Sequence, residues 1–227
     1  MNKITHCIFD MDGLLLDTEN VYTEVTAEIL SRFGKTYGWE LKSKLMGLRQ
    51  QEAADLLIKE TGISMTSDEY LEERNFKHEE RFLSVKPLPG VMNLVKHLKE
   101  HSIPMAVATS SHRDVFEIKT KNNQELFKLF DGIVCGDDPE VTRGKPFPDL
   151  FLAARKKLGD PPPEQCLVFE DAINGVQAAK NAGMPVIWIP DPGLAALHPG
   201  VNDATEMLLS MELFDPAKYG LPPYSIN

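Results

Sequence analysis

Cysteine is scarce in this chain: 227 residues hold three, Cys7, Cys135 and Cys166. Each sits in an apolar, strand-like run, with neither an even count nor a CxxC spacing. A disulfide framework and a thiolate zinc site are excluded, and buried thiols in a reducing compartment are implied. Six histidines are scattered along the chain and offer no histidine-built zinc site. No apolar stretch approaches the roughly 20 residues that span a bilayer. The run after Lys3 is broken at Asp10, so no signal-peptide core forms. Basic residues are outnumbered, with 24 Lys and Arg against 34 Asp and Glu and a formal charge of -10. That balance argues against a surface built for nucleic acid or anionic membrane. Internal repeats and low-complexity segments are missing too. A cytoplasmic monomer acting on a small molecule is the expectation that remains.

What is present is concentrated first between Cys7 and Thr18. An apolar β-type run, Cys7-Ile8-Phe9, ends in Asp10-Met11-Asp12-Gly13. Residues two apart on a strand project to the same side, so Asp10 and Asp12 share one small volume. Like charges that close repel unless a cation lies beside them. A divalent ion that prefers oxygen ligands, magnesium above all, relieves the conflict. The alternative is a strand followed by a polar turn with solvated carboxylates.

Downstream, the periodicity becomes helical. Val21, Val25, Ile29 and Phe33 recur every four residues, with Asp17 or Thr18 as the expected N-cap. Short helices follow around Leu41 to Leu45 and Ala53 to Lys59, the second stopped by Gly62. Thr66 and Glu69 form a capping box that opens a helix carrying Tyr70, Leu71 and Phe82. Lys86-Pro87-Leu88-Pro89-Gly90 then punctuates the chain. Beyond it, helices alternate with strands at Met105 to Ala108, Ile133 to Cys135, Cys166 to Phe169 and Val186 to Ile189. One long helix is expected from Val115 to Leu126, and the stretch after Pro190 is left unassigned. The expected class is α/β, a parallel sheet covered on both faces, with a small helical domain inserted after the first strand. Residues 1–16 and 87–227 form the core and 17–86 the insert.

Ligand sites in open α/β sheets lie beyond the carboxyl ends of the strands. The first strand delivers Asp10 and Asp12 there. Thr109-Ser110-Ser111 follows the second, either a helix cap, the commoner role of a hydroxyl triplet, or hydroxyls and N–H groups offered to phosphate oxygens. Asp137 and Asp138 follow the third, with Gly144-Lys145-Pro146 shortly after; Lys145 is either a site lysine in a constrained loop or a solvated one. Glu170 and Asp171 follow the fourth, as a second acidic pair or as acids at a helix N-terminus. Taken together, several carboxylates, a hydroxyl and a lysine describe a magnesium site for a phosphoryl group.

These motifs, in this order, resemble those of the haloacid dehalogenase superfamily: Asp10-Met11-Asp12-Gly13, Thr109, Lys145 in Gly-Lys-Pro, and Glu170-Asp171. The resemblance covers nearly the whole chain and places the helical insert where that family carries its cap, on a Rossmann-like core. Phe9 to Thr18, Gly136-Asp137-Asp138-Pro139-Glu140-Val141 and Tyr219-Gly220-Leu221-Pro222 are similar to the group holding pseudouridine-5′-phosphatases, plant-type glycerol-phosphatases and β-phosphoglucomutase-like proteins. The resemblance implies a Mg2+-dependent phosphomonoesterase. Asp10 would be the nucleophile that forms an aspartyl-phosphate, and also a metal ligand. Asp12 would be the general acid and base, with its backbone carbonyl on the metal. Thr109 and Lys145 would hold phosphoryl oxygens, helped by the N–H groups of Met11, Asp12 and Ser110. Asp171 would ligate the metal, with Glu170 supporting it. Asp12 is expected to have a raised pKa, pushed up by the neighbouring carboxylate.

A mutase of this group is expected to carry a histidine in the first cap helix, where this chain has Tyr22. A phenol does not shuttle protons readily near neutrality, so hydrolysis is favoured over phosphomutation. The cap loop Leu45 to Gln51 offers Arg49 and Gln50, with Tyr22, as candidates for substrate contact or for packing and solvated loop. Pseudouridine 5′-phosphate is the first expected substrate and glycerol phosphate the second. A phosphate-sensing module of the receiver type is disfavoured by the insert and by Asp12 beside the nucleophile.

Overall fold

The computed structural model describes residues 3–46, 48–198 and 203–224. Six parallel strands form one sheet in the order β3-β2-β1-β4-β5-β6, from β1 (His6–Phe9), β2 (Met105–Ala108), β3 (Gly132–Val134), β4 (Cys166–Glu170), β5 (Val186–Trp188) and β6 (Glu206–Met207). The central strands are short and buried on both faces. Their alternate residues divide between two cores. Cys7, Phe9, Met105, Val107, Leu167, Phe169 and Ile187 face one side. Ile8, Ala106, Ala108, Cys166, Val168, Val186 and Trp188 face the other. The first core is filled largely by Val91, Leu94, Val95 and Leu98 of α5 (Val91–Glu100). On the second, alanines on α8 (Asp149–Lys157) and α9 (Ile173–Asn181) let the helices approach the sheet closely. Phe9 and Phe169 sit opposite each other across β1 and β4 and stack at 4.5 Å. Cys7, Cys135 and Cys166 are buried free thiols.

Between β1 and α5 lie α1 (Glu19–Ser31), α2 (Trp39–Leu45), α3 (Gln50–Thr61) and α4 (Ser67–Phe82). These helices enclose a hydrophobic cluster of their own, including Val25, Ile29, Leu57, Tyr70 and Leu71. The capping box is formed: Thr66 Oγ1 accepts from the Glu69 N–H, and Glu69 accepts from the Thr66 N–H. Gly62 closes α3 in the left-handed region at φ 62°. The two connections to the core run side by side. The Asp17 N–H donates to Lys86 O at 2.9 Å and the Leu88 N–H to Leu15 O at 3.1 Å.

Several expectations need correction. Thr18 is the N-cap of α1, one of the two residues expected there, but its backbone is already right-handed helical at φ -91° and ψ -17° and its side chain makes no cap bond. The helix expected from Val115 to Leu126 is two helices, α6 (Arg113–Thr120) and α7 (Gln124–Phe127). Asn122 and Asn123 between them donate their side-chain amides to Leu83 O and Val85 O, tying the break to the returning connection. The tail after Pro190 supplies α10 (Pro192–Leu197) and the sixth strand. His97 on α5 and His101 at its C-cap lie one turn apart with rings 4.4 Å apart, a spacing the sequence reading passed over. Each spends a ring nitrogen on a backbone carbonyl, Pro222 O and His97 O.

Candidate active site

β1 lies between β2 and β4, at the point where the strand order reverses. Ligand sites are expected at such a point. Asp10 continues β1, its N–H donating to Phe169 O at 3.0 Å. Its carboxylate accepts from Lys145 Nζ at 2.5 Å, and the same ammonium donates to Glu170. Lys145 and Glu170 are buried, and Asp171 is 3% exposed. Glu170 also accepts from the Ala172 N–H at 2.9 Å. A Cβ on Gly175 would stand 1.8 Å from the Glu170 carboxylate, so only glycine lets the first turn of α9 pack against it. Gly13, at φ 80°, turns the chain so tightly that a Cβ would meet Asp171 Oδ2 at 2.5 Å. The two acidic pairs are thereby pressed together. Burial, with Glu170 and Asp12 adding to it, pushes the Asp10 carboxyl up to about 7 against the pull of Lys145. Burial and the neighbouring Glu170 and Asp10 raise Asp171 well above the usual carboxylate range.

Asp12 departs from expectation. Burial alone would raise it, but Lys119 Nζ donates to Oδ1 at 2.5 Å and Ser111 Oγ to Oδ2 at 2.9 Å, and its pKa is lowered instead. Lys119 is fully buried and also donates to Tyr22 OH at 2.5 Å and Ser111 Oγ at 2.8 Å. The sequence reading missed this lysine. Its signal was a charge on the apolar face of α6, three residues after Phe116 and four after Val115. Thr109 is fully buried and donates to Asp12 Oδ2 at 3.3 Å. The Met11 carbonyl accepts from the Leu15 and Leu16 N–H groups, and the side chain lies in the core.

A cavity of about 130 Å³ opens above these groups. Asp10, Asp12, Ser110, Ser111 and Asp171 form its floor. Glu19, Tyr22, Gln50, Arg74 and His78 come down from the inserted helices. Of the three cap candidates, Tyr22 and Gln50 line this space and Arg49 does not. Arg49 donates to Val141 O at 2.6 Å and Thr142 O at 3.1 Å, fastening the cap to the core loop. Asn174 Nδ2 donating to Met46 O at 2.9 Å adds a second fastening. Gly47 of the same loop lies outside the described residues. Asp137 and Asp138 stay away from the cavity; they accept from the Arg113 backbone N–H and guanidinium respectively. Arg74 and His78 were also missed, although they stand at four-residue intervals between Tyr70 and Phe82 on the buried stripe of α4.

Residues 7–189 match the haloacid dehalogenase-like hydrolase family. The chain belongs to that family. It is 47% identical to "(DL)-glycerol-3-phosphatase 2" of Arabidopsis thaliana over 98% of this chain and 93% of that one. It is 44% identical to "Probable pseudouridine-5'-phosphatase" of Drosophila melanogaster over 99% and 97% of the two chains. The fold is also that of a β-phosphoglucomutase from Clostridium difficile, with a TM-score of 0.77 at 21% identity over 93% of each chain. This family member is an enzyme of the phosphatase class, like its named relatives. No helix among the described residues is long and apolar enough to cross a membrane.

Proposed function

We propose that this hydrolase is a Mg2+-dependent phosphomonoesterase that works through an aspartyl-phosphate on Asp10, with pseudouridine 5′-phosphate as the first candidate substrate. The observation that carries the reading is the Asp10 carboxylate at the strand-order reversal, gripped by Lys145 and facing a cavity roofed by the inserted helices. The residues fit a hard divalent cation. Asp10 and Asp171 are crowded, buried carboxylates with raised pKa values, and among the described residues no lysine or arginine lies within 4 Å of Asp171. Their carboxylates and the Asp12 carbonyl would hold Mg2+, which supplies charge neutralisation for a dianionic phosphoryl group.

In the first step an Asp10 oxygen attacks phosphorus, the bond to the leaving oxygen breaks, and Asp12 gives that oxygen its proton. In the second, water attacks phosphorus, Asp12 takes the water's proton, and the bond to Asp10 breaks. Lys145 neutralises Asp10 and the phosphoryl oxygens, and Thr109 and the N–H groups of Met11, Asp12 and Ser110 orient them. Lys119 favours the carboxylate form of Asp12, which suits the second step. The first step requires Asp12 to leave Lys119 as the substrate arrives and to take a proton from solvent, which it then passes to the leaving oxygen. Tyr22 supports hydrolysis over phosphomutation, because its hydroxyl is engaged by Lys119 and its pKa is raised by burial and by Asp12.

The test is Asp10→Asn. Turnover of a phosphomonoester should fall by at least ~10⁴-fold while the fold and Tm persist. A stoichiometric, acid-stable phosphoryl group trapped on wild type should be absent from the variant. Undiminished Mg2+-dependent turnover in Asp10→Asn would sink the assignment.

A further inference from the structure

Arg74 is a buried cation without an anion. Its side chain is 8% exposed, yet its partners are neutral: Gln50 Oε1 at 3.2 Å, Asn75 Oδ1 at 2.9 Å and the Tyr70 ring. Among the described residues no carboxylate comes within 4 Å of its guanidinium. Buried charges are ordinarily paired, because an unpaired one forfeits hydration with little return. One turn further along α4, His78 is 3% exposed, and its Nε2 is buried with no hydrogen-bond partner. Both residues line the cavity that holds Asp10. Each is a buried polar group with unused capacity, and both belong to the cap side of the space that holds the rest of the substrate.

We propose that Arg74 and His78 are specificity-determining residues that take a second acceptor-oxygen group on the substrate's leaving alcohol. The inference rests on the phosphomonoesterase reading and narrows it. The substrate class becomes phosphomonoesters whose alcohol carries a carbonyl or carboxylate, and simple polyol phosphates are poorer substrates. A guanidinium presents planar, paired donors suited to such oxygens, whereas a three-carbon polyol offers only hydroxyls. Leaving the cavity's polar groups unpaired is what penalises an analogue lacking the acceptor. Gln50, held by Arg74 and within 3.4 Å of His112 Nδ1, fixes the guanidinium's orientation.

The experiment measures kcat/KM with Mg2+ for pseudouridine 5′-phosphate, which bears neutral carbonyls, 3-phosphoglycerate, which bears a carboxylate, and glycerol 3-phosphate, which bears neither. Wild type should prefer at least one acceptor-bearing substrate to glycerol 3-phosphate, and the preferred arm identifies the source of the oxygen. Arg74→Gln should cut that preference ratio by ~30-fold or more, with Arg74→Lys intermediate because it keeps the charge and loses the fork. His78→Phe, which preserves the aromatic packing, should cut it by ~5-fold. A wild type that favours glycerol 3-phosphate overturns the inference, as does a ratio that moves less than 3-fold in folded Arg74→Gln. If Arg74→Gln does not fold, the wild-type preference and the His78→Phe ratio decide together, and failure of either overturns it. Wild type that hydrolyses none of the three overturns the phosphomonoesterase reading itself. Hydrolysis of all three without selectivity overturns only the assignment to Arg74 and His78.

Discussion

The floor and the roof of the cavity treat charge in opposite ways. On the floor, Lys145 is shared between Asp10 and Glu170, and Lys119 between Asp12, Tyr22 and Ser111. On the roof, Glu19 is paired with Lys42 at 3.1 Å, but Arg74 has only neutral partners and His78 has a ring nitrogen with none. The floor is organised before any substrate arrives, as electrostatic stabilisation of a phosphoryl group demands. The roof holds donors whose partners must come with the ligand. On the proposed reading, chemistry and selectivity are carried by different regions, and the sharpest tests remove matching groups from each.

The largest expected contrast is between two buried cations. Lys145→Met strands Asp10 and Glu170 in a buried site, and the loss of an ion-pair partner there costs about 4 kcal/mol at neutral pH. Arg74→Met strands no carboxylate and should cost less than about 1 kcal/mol in the free enzyme. Urea unfolding of both variants checks this. Equal losses would erase the distinction between floor and roof.

Lys119 comes next. It joins the Asp12 carboxylate of the core to Tyr22 of the first inserted helix, so it belongs to both regions. Lys119→Met should destabilise the protein by about 3 kcal/mol, a fall in Tm of roughly 6–12 °C for a chain of this size. A shift under about 2 °C would mean that Asp12 and Tyr22 are held by other contacts.

The floor was largely legible in the sequence, and the roof was not, for a physical reason. Asp10, Asp12, Thr109, Glu170 and Asp171 each follow an apolar run by a residue or a few, with Lys145 in a Gly-Lys-Pro loop ten residues after Cys135, and a parallel sheet gathers the ends of its strands at one edge. Local pattern therefore predicted a distant meeting. Lys119, Arg74 and His78 sit inside helices, where polar residues are usually read as solvent-facing. Only their phase against Phe116, or against Tyr70 and Phe82, gives them away. The lowered pKa of Asp12 was illegible for the same reason, since its sign depends on Lys119. Arg49 misled in the opposite sense: a loop arginine near a site invites a substrate role, but both its terminal nitrogens donate to Val141 and Thr142 carbonyls.

A pH experiment probes the roof at a smaller scale. Burial, reinforced by Arg74, Lys119 and Arg81, pushes His78 down to about 2, while Tyr22 and Phe82 pack on its ring. The folded state thus keeps the imidazole neutral, whereas the unfolded chain takes a proton below about 6.5. The unfolded state binds the extra proton, so stability present above pH 6.5 is lost as pH falls toward 2. Between pH 7 and 5 the wild type should lose about 2 kcal/mol more than His78→Phe. Identical losses in the two proteins would show that His78 titrates normally, and that the roof is wetter than its packing implies.

The smallest effect asks whether the roof's geometry comes from its own helix or from the fastening to the core. Thr66 and Glu69 cap the helix that carries Arg74 and His78, with Thr66 more than two turns upstream of both. Thr66→Ala removes the hydroxyl that accepts the Glu69 N–H and should cost about 1 kcal/mol, lowering Tm by roughly 2–4 °C. Selectivity among phosphomonoesters should be unaltered, because Arg49 and Asn174 still hold the cap against the core and Arg74 is still tied to Gln50. A drop in selectivity that tracked the drop in Tm would place the roof's preorganisation in the helix's own rigidity. Specificity would then be coupled to cap stability, while the floor, with its lysines already paired, would keep the same kcat.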